Sequence, residues 1–478
     1  MINFKKYGKC CLSLFLAVSM ILMPSVQTFA EEETAAATTD STQTEGEDRE
    51  TQRQKCYAIA PDSNSVENWP QGPATYADSA IVMDMNSGAV LYSKQIEKKH
   101  YPASITKLLT TLVALDNAEL TDTVEFSQDS ISFLEYGDAH IGMTPGEQIS
   151  MEDALYAVLL ASANEVSYAV AESVGKKMGG GYDTFIQAMN DESEKLGCTG
   201  SHWTNANGLH DEQHYTTAHD MARIGAAVYQ KEAFRTISQS LSHTIPVTNL
   251  VNEERTFQQK HKMLWPQNDN YYEYCKGGKT GYTDQARTTL VTMADNGDMQ
   301  LVAVVLYDFG NDAYIDTRAM FDYAYSNFSK ISLKDQKLPE GVKSYEDEDA
   351  YIVLPKSAQF SDVKAEVKED SNKDGSGTVT FTYKGQEVGS VKAAIEKTEE
   401  SSAAVLGKKK DKTTSTVVTG ISKFMKIVIG VVIAVVILLI IIVVLANYRK
   451  QIRRRRRKKG KRRNAKSGNV KRKKKRRR

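Results

Sequence analysis

The sequence contains few cysteines, and this scarcity limits the folds and sites that it can form. Of the five cysteines among 478 residues, Cys10 and Cys11 lie in an apolar N-terminal run. Cys56, Cys198 and Cys275 are odd in number and lack the spacing of a metal site, so they exclude a disulfide framework but leave one pairing open. We expect no metal and no cofactor.

Acidic residues are missing from the C-terminal end of the chain. Residues 447–478 contain 21 Lys and Arg and no Asp or Glu, which leaves 40 basic against 60 acidic residues elsewhere. The preceding stretch, 427–446, contains no charge and is long enough to span a hydrocarbon core. By the positive-inside rule, 427–446 is predicted to be a transmembrane helix and 447–478 a cytoplasmic tail near anionic lipid. Nucleic-acid binding by the tail is disfavoured but open.

The N-terminus has the pattern of a secretory signal. Lys5, Lys6 and Lys9 precede an apolar run that ends in small residues near Ala30. This predicts a signal peptide at 1–30, with an uncleaved anchor as the alternative. Signal and span together predict a single-pass membrane protein whose main domain is extracellular. Residues 31–71 are expected to be disordered or extended, because 31–55 are rich in Thr, Glu, Ala and Gln.

Residues 72–330 alternate between strand and helix patterns. Two short apolar strands around a turn at 86–88 predict a hairpin, and two further strands come late. Helices fill the space between them, so we expect an α+β domain whose sheet is completed late. Residues 340–398 predict a small β-rich domain, and 399–426 a flexible linker. The predicted helices are 151–160, 165–177, 182–196, 218–230 and 316–328, and the strands are 79–84, 89–92, 288–293 and 301–306.

A serine and a lysine lie three residues apart at the start of a predicted buried helix. Ser104 and Lys107 share one helix face, and a serine hydroxyl needs a neighbouring base to act as a nucleophile. Burial and nearby cations lower the pKa of a lysine enough for that role. The same spacing occurs at Ser173 and Lys176, so the motif by itself is weak.

Two further segments carry polar groups suited to the same chemistry. Ser162 and Asn164 lie at a break between helices, where they could either line a cleft or cap a helix. Lys279, Thr280 and Gly281 are expected on a strand beside the N-terminal hairpin, with Gly281 allowing close approach of a ligand. A solvated lysine on an edge strand is the alternative, and Lys466-Ser467-Gly468 is a decoy.

The three segments in this order resemble the penicillin-binding D-alanyl-D-alanine carboxypeptidases, serine peptidases with a β-lactamase/transpeptidase-like fold. That fold has an antiparallel sheet flanked by helices, with a helical subdomain. The segments 207–209 and 214–218 are similar to the family's loop-and-helix signature. The resemblance implies a bacterial membrane enzyme that removes the terminal D-Ala from peptidoglycan muropeptides and binds β-lactams, with roles in cell-wall maturation and cell shape.

The resemblance also implies a role for each matching residue. Ser104 would form an acyl-enzyme, Lys107 would be its base, and Ser162 would relay protons. Asn164, Lys279, Thr280 and Gly281 would bind substrate, and the backbone N–H groups of Ser104 and Tyr282 would form an oxyanion hole. Lys260, His261 and Cys275 are weaker candidates near the cleft.

Two other functions stay open at this point. A β-lactamase would need a glutamate that positions water, and Glu212 does not have that sequence context. A non-catalytic membrane scaffold would use the basic tail to bind partners.

Overall fold

A computed structural model of the protein describes residues 41–370 and 375–396, with side chains from Asp48 onward. These residues belong to one compact unit. Among them, no helix combines the length and the apolar character needed to cross a membrane. The predictions for the signal peptide at 1–30, the linker at 399–426, the span at 427–446 and the tail at 447–478 lie outside the described residues.

A five-stranded antiparallel sheet forms the centre of the protein, with strand order β2-β1-β9-β8-β7. The hairpin β1–β2 is confirmed, and the late strands β8 and β9 complete the sheet as expected. The prediction that Lys279 lies on a strand next to this hairpin is wrong, because β8 and β9 intervene. The strands are β1 (Ser79–Asp84), β2 (Val90–Lys94), β7 (Cys275–Thr283), β8 (Arg287–Asp295) and β9 (Gln300–Asp308).

Both faces of this sheet are buried. Because side chains alternate along a strand, Ile81 and Met83 belong to one core, and Ala80 and Val82 to the other. The first core lies under the helical subdomain. Its helices are α2 (Lys107–Asn117), α3 (Asp129–Ser132), α4 (Met151–Tyr156), α5 (Asn164–Lys177), α6 (Tyr182–Lys195), α7 (Ala218–Tyr229) and α8 (Glu232–Gln239), and its small strands are β3 (Thr123–Glu125), β4 (Gln148–Ser150), β5 (Ser242–Ile245) and β6 (Arg255–Gln258).

The second core lies between the sheet, helix α9 and the β-rich segment. Trp69, Phe328 and Tyr383 pack in this core, so the segment at 340–398 shares its hydrophobic interior with the catalytic-motif region. Its strands confirm the β-rich prediction. The elements are α9 (Asp312–Asn327), β10 (Phe328–Ser332), β11 (Val342–Tyr345), β12 (Tyr351–Pro355), β13 (Lys364–Glu369), β14 (Ser376–Tyr383) and β15 (Gln386–Ile395).

The N-terminal segment departs from its prediction. Residues 41–57, expected to be disordered or extended, form helix α1 (Ser41–Tyr57). This helix has little apolar character, but it docks through specific contacts. Arg53 donates to both carboxylate oxygens of Asp312, and its guanidinium lies 3.7 Å from the ring centre of Tyr76. Composition does not reveal such long-range pairing, and this explains the error.

Candidate active site

Ser104 lies on a short 3-10 turn, Ala103–Thr106, that leads directly into α2. Ala103 has a φ of +50°, a left-handed conformation that is uncommon outside glycine. Side chains hold this turn in place. The Thr289 hydroxyl donates to the Pro102 carbonyl at 2.8 Å, and the Thr106 hydroxyl donates to the Ala103 carbonyl at 2.8 Å. The surrounding structure therefore fixes the backbone that carries Ser104.

A buried histidine, His214, makes a further contact with the same turn. His214 Nδ1 accepts a hydrogen bond from the Thr204 N–H at 3.0 Å, so the ring carries its proton on Nε2, which lies 2.8 Å from the Thr106 hydroxyl. Burial lowers the pKa of His214 to about 3, which keeps the imidazole neutral. The signature at 214–218 thus has a structural role in holding the Ser104 turn.

Lys107 is fully buried, and its ammonium nitrogen faces three oxygen atoms. Nζ lies 3.0 Å from Ser104 Oγ, 2.8 Å from Asn164 Oδ1 and 2.5 Å from the Asn207 carbonyl. Burial, and secondly the positive charge of Lys260, lower the pKa of Lys107 to about 7. A lysine of this pKa is neutral in a large share of molecules at physiological pH, as a general base requires.

Ser162 adopts a left-handed conformation, with φ at +62°, between two helices. Helix α4 runs into a π turn at Ala157–Ala161, and α5 begins at Asn164. The Ser162 hydroxyl accepts a hydrogen bond from Lys279 Nζ at 2.9 Å. Ser162 occupies the C-cap position of the π turn, where its backbone N–H donates to the Ala157 carbonyl, while its hydroxyl lines the cleft and contacts Lys279.

Lys279 lies on the edge strand β7 but is not solvated. Its side chain is fully buried, and Nζ also donates to the Thr280 carbonyl at 2.7 Å. Burial lowers its pKa well below the ordinary value, and the charges of Lys107 and Lys260 add to the effect. Lys279 therefore lies behind the cleft wall, whereas Thr280 lines the cleft itself.

Gly281 allows β7 to approach the Ser104 turn closely. A Cβ atom on Gly281 would lie 2.9 Å from the backbone nitrogen of Ser104 and 3.1 Å from that of Ile105. The close approach expected at this glycine is thus made by the backbone that carries the serine. Tyr282 follows with a side chain 54% exposed at the rim.

These groups meet in an open cleft of about 960 Å³. Ser104, Ser162 and Asn164 form its floor, and Thr280, Gly281 and Tyr282 form one wall. The lining residues of the remaining wall include Phe133, Glu135, Tyr136, Asp138, Leu209, His210, Lys262, Thr288, Gly310, Asn311 and Tyr314. Leu209 belongs to the segment 207–209 singled out from the sequence, but sequence reasoning missed the other lining residues of this wall, because most lie in loops and none lies in a motif.

The three weaker candidates, Lys260, His261 and Cys275, differ in whether they reach the cleft. Lys260 lines the cleft. His261 is buried, with Nε2 2.9 Å from the Thr292 hydroxyl, and burial lowers its pKa to about 3. Cys275 is a packed thiol whose pKa burial raises to about 12, and Cys56, Cys198 and Cys275 are all unpaired.

Glu165 is a second group that sequence reasoning missed. Its carboxyl group is buried beside Asn164, and one oxygen accepts the Ile141 N–H at 2.7 Å. Burial raises the pKa of Glu165, and its charge opposes the lowering of the Lys107 pKa. Its place in the first turn of a helix, next to a candidate residue, was the available signal. Glu212 lies outside this cleft, in a separate pocket with Lys99 and Tyr215.

A serine with a buried lysine as neighbour, on an antiparallel sheet flanked by helices, defines the class of serine-lysine acyl-transfer enzymes. Comparison with known proteins identifies the family within this class. The profile of the D-alanyl-D-alanine carboxypeptidase family of peptidases matches residues 66–310. The chain belongs to this family. The enzyme class inferred from the sequence, a serine carboxypeptidase of peptidoglycan metabolism, is confirmed.

Two relatives of known family agree with this assignment. The chain is 28% identical over 340 residues to D-alanyl-D-alanine carboxypeptidase DacF of Bacillus subtilis, covering 66% of this chain and 80% of that protein. It is 32% identical over 267 residues to DacB2 of Mycobacterium tuberculosis, covering 54% and 84%. A crystal structure of a D-alanyl-D-alanine carboxypeptidase from the same organism has 31% identity and a TM-score of 0.48, covering 56% of this chain and 96% of that one.

Proposed function

We propose that the protein removes the terminal D-Ala from peptidoglycan stem peptides ending in D-Ala-D-Ala, with Ser104 as the nucleophile. The observation that carries this proposal is the 3.0 Å contact between Ser104 Oγ and the buried Lys107 Nζ at the floor of an open cleft. Family membership supports the choice of substrate.

In the first step, neutral Lys107 takes the proton from Ser104 as Oγ bonds to the carbonyl carbon of the penultimate D-Ala. The carbonyl oxygen becomes an oxyanion, stabilised by the backbone N–H groups of Ser104 and Tyr282. Loss of one such donor typically costs about 10² to 10³ in rate. The close approach of Gly281 to the Ser104 nitrogen supports this pairing of donors.

Collapse of the tetrahedral intermediate breaks the C–N bond. The leaving amine needs a proton, and Ser162 delivers it while drawing on Lys279, which donates to its hydroxyl at 2.9 Å. Asn164 holds Lys107 in position through its side-chain oxygen and has its amide nitrogen for the substrate. Water then attacks the acyl ester and gives up a proton through Ser162 to Lys279. The ester C–O bond breaks, Lys107 returns its proton to Ser104 Oγ, and the tetrapeptide leaves with its new carboxyl group.

The substrate carboxylate is assigned to Thr280, which lines the cleft and offers a hydroxyl. Lys279 lies behind the cleft wall and attracts the substrate carboxylate only through its positive charge. β-Lactams carry an analogous carboxylate and a reactive amide, so they would acylate Ser104. Among the cleft-lining residues of the described chain the glutamate is Glu135, which is followed four residues later by Ala139 and so lacks the Glu-x-x-x-Asn context of a β-lactamase; this favours slow release of bound drug.

We further propose that the enzyme is a single-pass protein of the bacterial cell membrane, with this domain extracellular. The predicted signal at 1–30 and the uncharged run at 427–446 support that topology. The basic tail at 447–478 would lie against anionic lipid on the cytoplasmic side, where each Lys or Arg contributes about 1 kcal/mol. A cell-fractionation experiment with and without residues 427–478 tests this.

The decisive experiment is the substitution Ser104→Ala in the protein. We expect loss of labelling by fluorescent penicillin and loss of D-Ala release from a pentapeptide, measured by mass spectrometry, with an unchanged thermal midpoint. Ser173→Ala is the matched control, because it removes the serine of the second Ser-x-x-Lys sequence, which lies within helix α5. Labelling that survived Ser104→Ala would overturn the assignment, and a growth phenotype independent of Ser104 would favour the scaffold.

A further inference from the structure

Helix α1 lies outside the residues matched by the family profile, 66–310, yet it docks beside the cleft. Its last two turns are held by several independent contacts. The Tyr307 hydroxyl donates to Gln52 at 3.2 Å, Lys94 Nζ donates to the Cys56 carbonyl at 2.8 Å, and Tyr57 stacks on Tyr76 with ring centres 4.5 Å apart. Together with the Arg53–Asp312 pair, these contacts fix the helix on the catalytic domain.

The docked helix brings an arginine to the cleft wall. Arg49 precedes Arg53 by four residues, so both side chains lie on the same helix face. Asp312, the partner of Arg53, directly follows Gly310 and Asn311, which both line the cleft. The guanidinium of Arg49 lies 3.7 Å from the point where a Cβ atom of Gly310 would be. Arg49 is exposed, and although it does not itself line the cleft, it lies next to Gly310, which does.

The wall at this point is continuous with the substrate strand. The Gly310 N–H donates to the Thr288 hydroxyl at 2.9 Å, and Thr288 pairs with Tyr282 across β7 and β8. The lysine expected to bind the substrate carboxylate, Lys279, is buried and already donates to Ser162 and to its own strand. Two other lysines line the cleft: Lys262 lies over the Tyr314 ring, and the charge of Lys260 lowers the pKa of Lys107. Beside Gly310, an exposed guanidinium suits a carboxylate well, because it offers several N–H donors in one plane.

We propose that Arg49, supplied by the N-terminal helix, is a substrate-binding residue that pairs with a carboxylate of the stem peptide. The proposal rests on the function proposed above. The carboxylate is either the terminal one of D-Ala or the side-chain carboxylate of the diamino acid in the stem. Arg49 touches neither Ser104 nor Lys107, so it contributes to substrate binding. Its substitution should therefore change KM and not kcat.

The test is steady-state kinetics on the full chain with a pentapeptide ending in D-Ala-D-Ala. For Arg49→Gln we expect KM to rise about fivefold with kcat unchanged, as for the loss of one solvent-exposed ion pair. Arg49→Lys keeps the charge and should stay within about twofold of wild type. Lys55→Gln is the matched control, since it removes an exposed charge from the same helix.

Two reagents distinguish the source of the carboxylate. If acylation by benzylpenicillin slows in Arg49→Gln while acylation by its methyl ester does not, the terminal carboxylate is the partner. If both rates are unchanged but KM rises only for peptides containing diaminopimelate, and not for those containing lysine, the side-chain carboxylate is the partner.

A KM for Arg49→Gln equal to that of wild type would overturn the proposal, as would an equal rise in Lys55→Gln. Either result would leave the proposed function intact, because wild-type enzyme would still release D-Ala. Absence of D-Ala release from wild type would instead refute the proposed function, independently of Arg49.

Discussion

The substitution Gly208→Ala tests whether the loop at 207–209 sets the position of Ser104. Gly208 has a φ of +82°, and a Cβ atom there would lie 1.9 Å from the Ala103 carbonyl oxygen and 3.0 Å from the Ser104 nitrogen. Cβ atoms in real structures are essentially never closer than about 3 Å to such atoms, so one of the two segments must move by about 1 Å. The left-handed conformation adds about 1 to 2 kcal/mol for a residue with a side chain.

If the segment at 103–104 moves, it displaces both the nucleophile and one proposed oxyanion donor. If the loop moves instead, it displaces the Asn207 carbonyl, which accepts from Lys107 at 2.5 Å. A 1 Å misplacement of a catalytic group costs about 10² in rate. We therefore expect the second-order rate of acylation by penicillin to fall about 100-fold in Gly208→Ala.

Gly142→Ala is the matched control for this substitution. Gly142 has a φ of +74°, but no atom lies within 4 Å of its Cβ position, so it carries the conformational cost without the clash. Both variants should lose a similar free energy of unfolding, about 1 to 2 kcal/mol, because of the left-handed backbone. Only Gly208→Ala should lose acylation. Stopped-flow acylation and thermal denaturation measure the two effects. Near-wild-type acylation in a folded Gly208→Ala protein would show that the loop does not position Ser104.

Two further predictions concern charge. Because burial and Lys260 hold the pKa of Lys107 at about 7, and only the neutral amine accepts a proton, acylation should rise with pH through a midpoint near 7 and then level off. Lys260→Gln should move that midpoint upward; a profile flat from pH 5 to 9 would contradict Lys107 as the base. Arg53→Gln should destabilise the protein by about 1 to 3 kcal/mol, because it leaves the half-buried Asp312 carboxylate without its partner, whereas Lys55→Gln should change thermal stability by less than about 0.5 kcal/mol. Equal melting points for the two helix variants would mean that α1 is not docked in solution.

Local patterns predicted the sheet and most helices, because burial on both sheet faces requires continuous apolar strands. The strand Ser79–Asp84 was predicted to the residue, and the predicted helix at 165–177 begins one residue earlier, at Asn164. The partner of each strand was harder. Lys279 was placed beside the hairpin, because sequence does not show that two later strands fit between them.

The motif residues were predicted by type but not always by environment. Ser104, Lys107, Ser162 and Asn164 meet as expected. Lys279 was expected to bind the substrate carboxylate together with Thr280, and the structure places it behind the wall, donating to Ser162. Its environment depends on which elements pack over β7, and that is a property of the tertiary structure.

The arrangement of lysines limits where a further cation can hold the substrate. Two buried lysines serve Ser104 and Ser162, and after burial itself the charge of Lys107 lowers the pKa of Lys279, because like charges repel at short range. Lys260 already lines the cleft as a third cation, and its charge lowers the pKa of both buried lysines. A cation on a surface helix at the rim can pair with the substrate carboxylate. Solvent there screens the charge of that cation from Lys107. Arg49 at Gly310 meets this requirement, so the recruitment of a helix from outside the matched family region is consistent with the electrostatics of the catalytic floor.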